Sequence, residues 1–79
     1  MWDREFVTSV FKYLDELRES GETNMFGAGS YVEGEFGLER EESKNLTVGW
    51  MQTFDGATDV EERAKEFIKR QEEEIEEQN

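Results

Sequence analysis

The stretch Gly21–Phe54, GETNMFGAGSYVEGEFGLEREESKNLTVGWMQTF, most constrains what this chain can fold into. It holds six of the seven glycines, three of the six phenylalanines and one of the two tryptophans. Its only bases are Arg40 and Lys44. The segments on either side are charged and carry helical periodicity, so two helices bracket a glycine-rich, aromatic centre. At 79 residues the chain is expected to form a single small acidic domain over 1–79. A chain of this size buries only about 60–65% of its unfolded surface. The sequence has no cysteine, no histidine and no proline. Disulfides and thiolate metal sites are therefore excluded, and the usual general base is missing. Apolar packing must hold the fold. Trp2, Phe6, Phe11, Tyr13, Phe26, Tyr31, Phe36, Trp50, Phe54 and Phe67 supply most of its area.

The formal net charge is −12, from 21 acidic and 9 basic residues. Phosphate contacts need clustered Lys and Arg, so this balance opposes nucleic acid and anionic membranes. It favours a basic protein partner. No run approaches the roughly 20 apolar residues of a spanning helix, and no secretion signal is visible. Cytoplasmic residence is the expectation.

Phe6, Val10, Leu14 and Leu17 recur at helical spacing, widened by Val7 and Phe11, and predict a helix over 2–20. Asp3 is the expected N-cap, Glu5 suits the first turn, Arg18 suits the last, and Gly21 stops the helix. Residues 22–29 read as a connector in which Met25 and Phe26 fold back to plug the core. At the other end, Thr58 and Glu61 form a capping box that opens a helix over about 59–77. Its apolar face is Val60, Ala64, Phe67 and Ile68, extended by Ile75. Residues 71–79 hold five glutamates and no base, and acid at a helix C-terminus opposes the dipole, so this tail is expected to fray.

The centre supports two readings. Ser30 and Glu33 make a capping box for a short helix with Tyr31, Val32 and Phe36 on one face, ended by Gly37 with Leu38 tucked beneath. Leu46, Trp50 and Phe54 then mark a longer helix opened by Glu39, Glu41 and Glu42. Against this, Gly34 and Gly49 each cost about 1 kcal/mol inside a helix. The alternations 32-34-36-38 and 46-48-50 also fit a β-hairpin over 31–54.

The run from Tyr13 to Phe54 resembles a group of small phage-encoded proteins with no assigned activity. Their shared pattern is approximately YLDxLRxSGxTNMFGAxxYLxxxFGLxxxEAxxxLxxWMxxF. It is matched in register by Tyr13, Leu14, Asp15, Leu17, Arg18, Ser20, Gly21, Thr23, Asn24, Met25, Phe26, Gly27, Ala28, Tyr31, Phe36, Gly37, Leu38, Glu42, Trp50, Met51 and Phe54. The match covers about half of the chain. In that group the central segments are rich in helix formers, which implies an all-α domain of three to four helices with a helix-turn-helix-like central pair. The sequence departs from the pattern at Ser30, Val32, Gly34, Ser43 and Gly49. Those departures make its centre look strand-like. The resemblance also implies a phage protein acting in a host cytoplasm.

Chemistry finds little support. The carboxylate pairs Asp15/Glu16, Glu41/Glu42, Glu61/Glu62 and Glu72–Glu74 read as solvated faces, because acid–base work needs one carboxylate in an apolar pocket. Asp55–Glu66 lacks the third-position ligand and central glycine of a calcium loop. Gly27-Ala28-Gly29 precedes a helix without a nearby base to meet phosphate, and Ser30 has no histidine to activate it. No enzyme, cofactor or metal is expected, and no partner-binding residue is singled out. The leading expectation is a non-enzymatic acidic module, a phage accessory protein or inhibitor, that docks on a basic partner or imitates nucleic-acid charge. One alternative is a helix-turn-helix DNA binder using Arg40 and Lys44. Another is a structural protein that self-associates through Trp2 and the Phe67/Ile75 stripe.

Overall fold

The computed structural model describes the backbone of residues 2–21 and 27–78, with side chains through Glu73. Four helices follow in order: α1 (Arg4–Ser20), α2 (Ala28–Phe36), α3 (Arg40–Thr53) and α4 (Val60–Gln78). Among the described residues there is no strand, so the centre is helical and the hairpin over 31–54 is overturned. α1 and α3 each pack on all three other helices, whereas α2 and α4 do not meet.

α1 starts where its cap allows. Asp3 has extended backbone and its carboxylate accepts the Phe6 N–H at 3.1 Å. The helix therefore begins at Arg4, two residues after the expected Trp2. Gly21 closes it with φ 70° and donates to the Arg18 carbonyl. Val7, Val10, Phe11, Leu14 and Leu17 are buried, as the periodicity requires.

α2 begins two residues earlier than Ser30. Gly27 is the N-cap and supplies no side-chain bond, so the Ser30–Glu33 capping box does not form. The earlier start carries Ala28 into the core, where it is fully buried with Val32. It also turns Tyr31 outward. That ring is 40% exposed, against the expectation that it shares the buried face. Gly37 ends α2 at φ 65°, a left-handed conformation that side chains with a Cβ rarely adopt. The Gly37 and Leu38 N–H groups both donate to the Glu33 carbonyl, and Leu38 tucks against the core as expected. The expected plug, Met25 and Phe26, lies outside the described residues.

Three residues separate α2 from α3, giving a helix-turn-helix connection. The Glu42 carboxylate reaches back to the Glu39 N–H at 3.2 Å and fixes the start of α3. Leu46 and Trp50 are buried, and Phe54 closes the helix half-buried. Gly49 lies inside α3 and is buried against α4. A Cβ there would sit 2.2 Å from Cδ1 of Phe67, so a glycine is what lets the two helices approach.

The Thr58–Glu61 capping box is also absent. Thr58 instead donates its hydroxyl to Asp55, whose carboxylate accepts the Ala57 and Thr58 N–H groups at 2.9 and 2.7 Å. Asp55 thus organises the link between α3 and α4, and α4 starts at Val60. Ala64 and Phe67 enter the core while Val60 and Ile68 flank it.

Candidate functional site

Three helices meet at one polar junction. Asp15 comes from α1, one turn beyond the buried Phe11. Trp50 comes from α3. Arg63 comes from α4, one turn before the buried Phe67. The Trp50 indole donates to Asp15 Oδ1 at 2.8 Å. The Arg63 guanidinium grips the same carboxylate with two nitrogens, at 3.1 Å to Oδ1 and 2.6 Å to Oδ2. Its third nitrogen, Nε, donates to the Thr58 carbonyl at 3.0 Å. The Arg63 side chain is 6% exposed and that of Asp15 31%. Phe54 lies tilted against Trp50, with ring centroids 5.0 Å apart, and sits under the guanidinium groups of Arg18 and Arg63 at 4.7 and 5.4 Å. A charge this buried persists only when it is paired and hydrogen-bonded, and both conditions hold.

The junction forms the floor of a cleft of about 440 Å³. Around it stand Arg18 and Glu19 of α1, Phe54, the 56–59 link and Val60. The two oxygens of Asp15 already accept three donors, so its role is to hold helices together. Glu19 and Asp59 line the same cleft, and their carboxylates have no partner among the described residues. The cleft therefore carries two carboxylates beside the Phe54 ring, over which Arg18 and Arg63 already lie.

The other carboxylates singled out by sequence are dispersed. Glu16, Glu41, Glu61, Glu72 and Glu73 are exposed on the outer faces. Glu42 is a helix cap, Glu62 pairs with Lys65 at 3.2 Å, and Glu66 pairs with Arg70 at 3.1 Å. Asp55 is engaged by Thr58 and Ala57, and those hydrogen bonds hold its carboxyl down from the usual 3.8 to about 2. Gly27-Ala28-Gly29 opens α2 and Ser30 is exposed. Arg40 and Lys44 lie one turn apart on the exposed side of α3. Trp2 stacks on Phe6 and tilts against Phe67, each at 6.3 Å, and Phe67 is buried. Two members of the proposed self-association stripe are thus used inside the molecule.

Sequence reasoning missed the junction. Its signal was present, because Asp15 and Arg63 each sit one turn along from a core phenylalanine, at the edge of an apolar face. A charged residue there is either a solvated flank or half of a buried pair. Single-helix periodicity does not distinguish the two. No family model matches this chain, and neither the curated proteins nor the solved structures hold a match to it.

Proposed function

We propose that this protein is a non-enzymatic acidic interaction module that docks on a basic protein, with the Asp15 cleft receiving a cationic side chain. The observation that carries this reading is the state of the charges. Three of the nine bases, Arg63, Lys65 and Arg70, are engaged in ion pairs within the molecule. Among the described residues, Glu19 and Asp59 remain unpartnered at this cleft, where Arg18 and Arg63 lie over the Phe54 ring. An acidic surface of this kind speeds encounter with a basic partner, and the cleft gives the encounter a place to lock. The resemblance to phage-encoded proteins adds the setting, an accessory protein or inhibitor acting in a host cytoplasm. In the sharper form of the proposal, its carboxylates stand where a nucleic acid's phosphates would, and duplex DNA displaces it from the partner.

The test is capture of partners from lysate at low and at high salt, beside a gel-shift with duplex DNA. A basic protein should be retained at about 0.1 M salt and released near 1 M, where the Debye length falls from about 10 Å to about 3 Å. Glu19→Gln with Asp59→Asn should weaken retention while leaving the fold intact. A salt-insensitive partner would count against the acidic surface. The helix-turn-helix connection of α2 and α3 favours one rival, DNA binding through Arg40 and Lys44. A specific gel-shift at nanomolar protein would establish that rival and end the acidic-module reading.

A further inference from the structure

A second groove, of about 380 Å³, lies between α2 and α3 and shares no lining residue with the Asp15 cleft. α3 contributes Arg40, Lys44, Val48 and Met51, which recur at three and four residues and so share one side of the helix. Val48 and Met51 are 40% and 38% exposed, and with Tyr31 they are the large exposed hydrophobics among the described residues. Arg40 and Lys44 have no hydrogen bond or ion pair with any described residue. The one acid lining the groove is Glu33 of α2, so the lining is net positive on a chain of net charge −12. Ser43, also in the lining, is 1% exposed, and its hydroxyl is a buried polar group without a partner.

From this we infer that the α2–α3 groove seats a large apolar side chain of a partner protein, with an adjacent carboxylate of that partner held by Arg40 and Lys44. Charge complementarity selects the carboxylate. The exposed apolar half selects its neighbour, and a methionine at the edge adapts to an aromatic ring. Aromatic side chains are the usual anchors of protein interfaces. A bare phosphate leaves Val48 and Met51 wet. A second copy of this chain brings a further −12 to the contact, which opposes pairing. The inference stands apart from the acidic cleft, because it uses the basic face and requires only small probes.

The experiment is a ¹⁵N NMR titration with N-acetyltryptophan, which joins an indole to a carboxylate. N-acetyltryptophanamide and acetate are run beside it. N-acetyltryptophan should produce saturable shifts confined to α2 and to residues 40–51. The amide should bind roughly three- to fivefold more weakly, the size of one exposed charge contact. R40Q/K44Q should show the same loss with its spectrum otherwise unchanged. The inference is overturned by an absence of saturable shifts, or by shifts centred on Asp15. Equal binding of acid and amide also overturns it, as does acetate alone reproducing the pattern. Shifts of residues 40–51 on diluting the protein without ligand would assign the groove to a second copy, which equally overturns it.

Discussion

The two glycines that weaken the central helices have opposite meanings. Gly34 is exposed and a Cβ there would meet nothing within 4 Å. Gly34→Ala should therefore stabilise by about 0.4–1 kcal/mol, read as a shift in denaturant midpoint. Gly49 faces the Phe67 ring, which is held edge-on by Phe11 with centroids 5.6 Å apart. An alanine methyl must displace that ring. Gly49→Ala should cost about 1–3 kcal/mol despite its helix propensity, and a stabilised variant would show that the ring is free to move. From sequence both residues were the same weak point in a helical pattern, because propensity is local and the neighbour across the interface is not. Asp15 shows the same limit. Asp15→Asn keeps the shape and one acceptor but leaves the Arg63 charge poorly compensated. A loss of about 1–3 kcal/mol is expected by urea denaturation, with recovery when Arg63 is also replaced by Met.

Among the elements, the amphipathic faces were the legible part. α1 and α4 declare themselves through Val10, Leu14, Ala64 and Phe67, whose spacing matches the helical period and which are all buried. α2 and α3 were balanced against a hairpin because Gly34, Val48 and Gly49 dilute that period, and the resemblance tipped them correctly toward helix. The boundaries were less legible. Ser30 and Thr58 each begin a capping box in sequence, yet tertiary packing of Ala28 and the pull of Asp55 on Thr58 place both helix starts elsewhere. The link between α3 and α4 is testable through Asp55. Its carboxyl is held near 2 in the folded state, first by the Thr58 hydroxyl. A lowered folded-state value means that this contribution is complete above the unfolded value near 4 and fades as pH falls toward 2. Carbon-detected NMR should place the Asp55 midpoint near 2, and Thr58→Ala should return it toward 4. A wild-type midpoint already near 4 would remove the link's proposed anchor.

For the molecule as a whole, one small core serves four helices, and Trp50 is its largest fully buried side chain. Trp50→Ala should cost about 3–5 kcal/mol, comparable to the entire stability of so short a chain, and leave a far-ultraviolet spectrum without helix. A folded Trp50→Ala would mean that the core closes without it. Asp15 joins partners 35 and 48 positions away, so its bonds form only after most of the chain has been gathered in. Closing spans of that length is slow compared with winding a helix, so the junction is expected to form late in folding. Stopped-flow measurements on Asp15→Asn should then show a nearly unchanged refolding rate and a faster unfolding rate. On that outcome the three-helix clasp is a latch on the finished protein, governing how long it stays folded and not how soon it gets there.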